Sequence, residues 1–287
     1  MIESLAGQGM NVRACTTMLG VSDSGYYDWK TRPPSAHALR RVWLGGLIAD
    51  VHNASSGTYG ALRVTAELRI AHATIVGHNA VASIMGELGL QGLPTRRKPK
   101  SLGVNLASAA DLVKREFARN EPNRLWMADI TEHPTREGKV YCCVVLDAFS
   151  RKVIGWSIDS TQAASLVTNA LGMAITARKL ANDAIIHSDR GVQFTSWAFS
   201  EKVRNAGLAP SMGAVGSPYD NAMMEAFWAR MQVELLNRHR WRTRIALANA
   251  IFEYLELFHN KKRRHSSLNM QTPEAFEAQY QSQRQAA

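Results

Sequence analysis

Three carboxylates constrain this chain more than any other feature. Asp129 lies inside LWMADIT, Asp189 follows the apolar run AIIHS, and Glu225 sits in DNAMMEAFW. The three contexts are a strand, a strand end and a helix, so only a specific fold gathers them. A charge inside an apolar strand is costly unless it is paired or used, which makes Asp129 either half of an ion pair or a functional group. Asp189 precedes Arg190 and Gly191 at the carboxyl edge, where open sheets place ligands. An ordinary turn aspartate is the alternative. Glu225 opens a helix whose other face, Met224, Phe227, Trp228, Met231 and Leu235, is apolar. Alone it reads as a solvated helical glutamate, and its register with the two aspartates gives it meaning.

Oxygen donors without a cysteine pair or two histidines at ligand spacing suit Mg2+ or Mn2+ better than zinc. The set therefore reads as a metal-bound nuclease centre. Two ions about 3.5 to 4 Å apart activate the attacking oxygen and stabilise the leaving oxygen of an in-line displacement. Other acids compete for the role: alternation puts Glu132 on the strand face opposite Asp129, Asp147 suits a strand-to-strand turn, and Asp159 is a third. His187 shares a strand face with Asp189 and reads as a supporting or core histidine rather than a ligand.

A formal net charge of +10 over 287 residues implies a polyanionic partner or a merely soluble basic protein. Cys15, Cys142 and Cys143 form no C-x-x-C pair, and adjacent strand residues face opposite ways, so neither a structural zinc nor a disulfide framework is expected. The first residues lack a signal-peptide pattern, and no stretch approaches the ~20 apolar residues of a membrane span. A reducing cytoplasm is the expected location.

Residues 1–35 read as short helices stopped by Pro33-Pro34. Residues 36–95 begin with a helix on which Leu39, Val42, Trp43, Leu47 and Val51 recur near helical spacing despite Gly45-Gly46. ALRVTAELR and GHNAVASIMGELG follow, as either a helix-turn-helix-like DNA-binding unit or a plain helical hairpin. Residues 96–122 form a basic linker whose RRKPK run is either solvated or tracks phosphates. From 123 to 237 the pattern predicts three strands with a turn at Arg136–Lys139, a helix over Gln162–Leu180, strand AIIHS, a helix ended by Gly207, strand LAPSM and the Glu225 helix. That order predicts an α/β fold: a ribonuclease H-like core with a mixed five-stranded sheet and flanking helices, preceded by the helical region. Residues 238–287 form a basic helical extension. Arg238, Arg240, Arg242 and Arg244 surround Trp241, and Lys261, Lys262, Arg263, Arg264 and His265 form a second cluster suited to a DNA backbone.

The stretches WMADIT, VVLDAFSRKVIGW, HSDRGVQFTS, GSPYDNAMMEAFW and FHNKKRRHSSLNMQTPEAF, with SGYYDWKTRPPS and SSGTYGALRVTAEL upstream, resemble the OrfB transposases of the insertion sequence three family. The core of that family is similar to retroviral integrases. The resemblance places the family's Asp, Asp, Glu triad on Asp129, Asp189 and Glu225. It implies metal-dependent strand cleavage and strand transfer at insertion-sequence ends without a covalent protein intermediate. It also implies a homo-oligomer on DNA and an upstream OrfA partner bearing a helix-turn-helix and leucine zipper. Arg190, Gly191, Asn221, Arg230, Lys261, Lys262, Arg263 and Arg264 are the expected DNA contacts. Gln232 stands where relatives often carry lysine, and Ala128 where many carry threonine.

Overall fold

The computed structural model describes residues 1–94, 120–212 and 222–286. Its centre is a five-stranded sheet built from β1 (Leu125–Thr135), β2 (Gly138–Asp147), β3 (Val153–Asp159), β4 (Ile185–Ser188) and β5 (Ala209–Met212), in the order β3-β2-β1-β4-β5. The first three strands are antiparallel neighbours, and β4 and β5 extend them in parallel. This is the mixed ribonuclease H-like sheet that the sequence predicts. The β1–β2 hairpin closes through Arg136-Glu137, with Thr135 opposite Gly138. Gly138 has φ +114°, and a Cβ there would collide with the Arg244 guanidinium, so this turn needs glycine.

Alternation along the strands divides the core into two layers. Leu125, Met127, Cys142 and Val144 face one layer, closed by α9 (Ala222–Glu234), α10 (Arg244–Glu253) and the π-helical stretch Tyr254–His259. Trp126, Ala128, Cys143 and Val145 face the other, closed by α7 (Ala164–Ala177) and α8 (Trp197–Asn205). Adjacent Cys142 and Cys143 thus fall on opposite faces. Met224, Phe227 and Met231 of α9 are fully buried, each contributing roughly 1.5–3 kcal/mol of transfer free energy. They fix which side of α9 lies on the sheet.

Helix α7 is shorter than its sequence pattern. It ends where Arg178 turns extended, with Arg178 Nη2 donating to both carboxylate oxygens of Glu277 of α11 (Pro273–Ala286) at 3.0 Å. Side chains also cap the helices: Ser196 Oγ accepts from Phe199 N–H at the start of α8, and Thr243 Oγ1 from Ala246 N–H at the start of α10.

Ahead of the sheet come α1 (Ile2–Gly7), α2 (Val12–Met18), α3 (Asp23–Thr31), α4 (Ala36–Ala54), α5 (Ala61–Ala71) and α6 (His78–Glu87). The last three pack through Leu44, Ile48, Val51, Val64, Leu68, Val81 and Ile84, and Phe258 joins this cluster from the Tyr254–His259 stretch. Leu39, Val42 and Trp43 of the predicted apolar stripe are exposed instead. The buried face of α4 runs through Leu44, Gly45, Ile48, Val51 and His52, because Val64, Leu68, Val81 and Ile84 of α5 and α6 pack on that side. The predicted linker run RRKPK lies outside the described residues.

Candidate active site

The parallel pairing of β1 with β4 ends at Ala128 opposite Ser188. The next residues are Asp129 and Asp189, so two neighbouring strands each present a carboxylate at the same edge. Alternation from Leu125 and Met127 turns Asp129 toward the α9 layer. Its Oδ1 accepts the Ile130 N–H at 2.8 Å, and its Oδ2 accepts the Trp228 Nε1–H at 3.1 Å. Asp189 is exposed, and its Oδ1 accepts the Gly191 N–H at 3.0 Å. A Cβ on Gly191 would sit 3.0 Å from that same oxygen, so the glycine makes room for the Asp189 carboxylate. Cys143 reports both aspartates. Burial pushes its thiol well above the ordinary value, and the charges of Cys142, Asp129 and Asp189 push it further.

Glu225 is exposed in the first turn of α9, three residues before Trp228 and therefore on the same side of the helix. The indole that bonds Asp129 thus ties the Glu225 helix to the edge carrying both aspartates. Among the described residues, no three Asp, Glu, His or Cys side chains converge closely enough to hold an ion. The structure brings Asp129 and Asp189 to one edge with Glu225 on the adjoining helix, without closing the three onto one point.

The competing acids have other partners. Glu132 pairs with Lys139 at 2.6 Å. Buried Asp147 accepts from the backbone N–H groups of Asn123 and Phe149, at 2.7 and 2.8 Å, and holds the β2–β3 turn. Asp159 accepts from Thr161 N–H at 3.0 Å. His187 is buried, with Nδ1 3.0 Å from Ser211 Oγ, a core position.

The expected DNA contacts divide. Arg190, Lys261 and Lys262 are exposed, and Asn221 lies outside the described residues. Arg263 and Arg264 are corrected: both are buried and occupied by internal carboxylates. Arg263 clamps Glu234 through Nε and Nη2 at 2.7 and 2.5 Å, and Arg264 Nε reaches Glu67 at 2.5 Å. Arg230 is half-buried. Burial lowers its guanidinium to about 10, and the nearby Arg263 charge adds to the effect. Sequence reasoning missed Trp228 as the partner of Asp129. Its signal was an indole donor on the Glu225 side of a helix otherwise lined by Met and Phe.

Residues 119–218 match the family described as integrase core domain, residues 206–273 match a second integrase core domain family, and residues 41–99 match an HTH-like domain. The chain is 36% identical to the transposase for insertion sequence element IS904 of Lactococcus lactis, over 86% of this chain and 98% of that protein. It is 34% identical to transposase InsF for insertion sequence IS3A of Escherichia coli K12, over 93% of this chain and 94% of the relative. Among solved structures, the catalytic core domain of BIV integrase aligns at TM-score 0.40 and 21% identity, over 56% of this chain and 98% of that one. The chain belongs to the insertion sequence three family of transposases. Its chemistry is that of a polynucleotidyl transferase.

Among the described residues, no helix is long and apolar enough to cross a membrane.

Proposed function

We propose that Asp129, Asp189 and Glu225 are the catalytic carboxylates of this transposase, and that they hold two Mg2+ or Mn2+ ions while DNA strands are cut and joined at insertion-sequence ends. One observation carries the reading. Asp129 and Asp189 follow the last paired residues of two adjacent parallel strands, and an indole from the Glu225 helix is bonded to Asp129. The donor set fits a hard cation. All three groups offer oxygen, His187 is engaged by Ser211, and the Cys142 and Cys143 thiols are pushed up by burial. Bound divalent ions supply Lewis acidity that stabilises charge on the attacking and leaving oxygens of the phosphate.

The part played by the protein is positional. The paired strands hold the two aspartates side by side. Trp228 fixes the plane of one carboxylate, the Gly191 N–H fixes the other, and α9 carries the glutamate to the same edge. Water attacks first, and the freed 3′-hydroxyl attacks the second phosphate, so no bond forms between protein and DNA. Helices α4–α6 hold the end of the element, while Arg190, Lys261 and Lys262 meet phosphates. Work on two ends requires more than one copy of the chain on DNA. An upstream OrfA protein supplying a helix-turn-helix and zipper completes the assembly.

The test uses purified protein and a labelled duplex carrying the inverted repeat that flanks its own coding region. Reactions with and without Mg2+ or Mn2+ run beside Asp189→Asn, and cut and joined strands are resolved on a denaturing gel. Metal-dependent cutting and joining that the variant lacks is the expected result. Cutting without joining would make the protein a nuclease, and binding without either would make it a regulator or a chain that lacks its OrfA partner.

A further inference from the structure

The run Lys261–His265 looks like a phosphate-binding patch, yet its two arginines point into the protein in different directions. Arg263, with a side chain only 2% exposed, grips Glu234, and the Tyr254 hydroxyl donates to the same carboxylate at 2.9 Å. Glu234 is the last residue of α9, the helix whose first turn carries Glu225. Arg264 reaches the other way, to Glu67 on α5. Its backbone N–H donates to the Tyr59 hydroxyl at 2.8 Å, which itself donates to the Lys262 carbonyl at 2.8 Å. Arg63 Nε donates to the Arg264 carbonyl at 3.1 Å. Two consecutive arginines therefore fasten the integrase core to the helix-turn-helix-like region.

The two regions also meet through apolar contact, with Phe258 seated among α4–α5 side chains and its ring 6.5 Å from that of Tyr59. Apolar contact is non-directional and tolerates small slides and rotations. A charge-assisted hydrogen bond at a buried site does not, since displacement leaves two desolvated charges unpaired. The Arg264–Glu67 pair, with side chains 9% and 23% exposed, is suited to setting a docking register more than to adding stability.

We propose that Glu67 and Arg264 are positioning residues for transposition: they hold α5 at one fixed placement relative to α9, so that the DNA end gripped by the helical region reaches Asp129, Asp189 and Glu225 in a single register. The proposal rests on the reading that α4–α6 binds the element's end. The pair touches neither DNA nor metal and acts through the placement of the two regions.

The experiment compares full-length wild type, Glu67→Arg, Arg264→Glu and the exchanged double variant on the labelled end duplex. It reads thermal melting, binding, the phosphate cut, and the footprint on uncut DNA. Each single variant is expected to bind within about threefold of wild type and to cut at least about tenfold more slowly. Its cuts spread over neighbouring phosphates, and its footprint loses the terminal protection while keeping the internal part. The exchanged variant regains the single cut position and the full footprint. Single variants that cut the wild-type phosphate at the wild-type rate would overturn the proposal, as would spread cutting that the exchange does not correct. If a reversal prevents folding, Glu67→Gln replaces it with the same expected spread, and a wild-type pattern there overturns the proposal. Should wild type fail to cut even with OrfA added, the carboxylate reading fails, and the footprints still decide this one.

Discussion

Trp228 offers the sharpest test of how the site is held together. Its Nε1–H donates to Asp129 Oδ2 at 3.1 Å, and its ring, nearly buried, packs edge-on against Phe227 at 4.8 Å between centroids. Trp228→Phe keeps an aromatic ring on the sheet and deletes the donor. A hydrogen bond to a charged group contributes about 1.5–3 kcal/mol. If about half of that survives as orientation of the carboxylate during reaction, the loss of about 0.75–1.5 kcal/mol lowers the cutting rate roughly 4- to 13-fold. The half-saturating metal concentration should rise by a similar factor, because Asp129 no longer presents a fixed plane to the ion. The smaller ring also costs folding stability, about 1–2 kcal/mol. Phe227→Leu supplies the control: it trims a fully buried neighbour on the same helix without touching Asp129. The assay is the end-cutting rate against Mg2+ concentration, with melting temperature measured on the same samples. A Trp228→Phe metal curve that overlays wild type would refute the reasoning, and so would an equal displacement in Phe227→Leu.

Three further outcomes follow from other parts of the fold. Gly155→Ala should leave little folded protein by circular dichroism, since a Cβ there would lie 2.3 Å from the Ala170 carbonyl and 2.8 Å from Ala174 N, where neither α7 nor β3 can yield cheaply. Arg178→Ala removes the Nη2 shared by both oxygens of Glu277, a carboxylate 5% exposed that also accepts from Ser150 Oγ at 2.6 Å and keeps Lys152 Nζ at 3.7 Å. With that second cation still in place, the loss is roughly 1.5–3 kcal/mol in urea unfolding, and a loss under about 1 kcal/mol would show the cluster to be solvated. The Glu234 carboxyl has burial pushing it up, but Arg263, Tyr254 and Arg63 together hold it below the ordinary value of 4.5. A depressed acid contributes stability above its unfolded value that is lost as pH falls through the folded one. The melting difference between wild type and Glu234→Gln should therefore be full near pH 6 and shrink below about pH 4; a difference that grows on acidification would contradict the pairing.

The two aspartates were legible because each is announced locally, by an apolar strand that stops or breaks at a charged residue. The strand order also followed from short-range patterns. What the sequence could not show was the pairing register of β1 with β4, strands far apart along the chain, and that register is what makes two separate aspartates neighbours. The same limit explains the errors. Arg263 and Arg264 sit in a basic run, but their carboxylates lie 29 and 197 positions away, and no local pattern names them. On α4, Leu39, Val42 and Trp43 form one apolar face, while Leu44, Ile48 and Val51 form another about as apolar. Hydrophobic periodicity cannot choose between them until Val64, Leu68, Val81 and Ile84 of α5 and α6 cover the second.

A basic run in sequence is therefore not a basic patch in space, and here the difference has a measurable size. His259 Nε2 lies 2.8 Å from the Arg151 carbonyl, and the Asn260 amide bonds both N–H and C=O of Val153 at 2.9 Å, pairing the exposed edge of β3 as another strand would. Arg263 and Arg264 are spent on Glu234 and Glu67, leaving Lys261 and Lys262 to face solvent. Each neutralised phosphate adds about 0.9 to the log-log salt slope of duplex binding. Four free cations would contribute about 3.6 to that slope, whereas the two lysines contribute about 1.8 at most. Lys261→Ala and Lys262→Ala should each flatten the slope by up to about 0.9 with melting unchanged, read by end-duplex titrations at several salt concentrations. Arg263→Ala should lower the melting temperature before it alters the slope. A slope that falls by about 0.9 in Arg263→Ala with melting intact would mean that its guanidinium leaves Glu234 for phosphate.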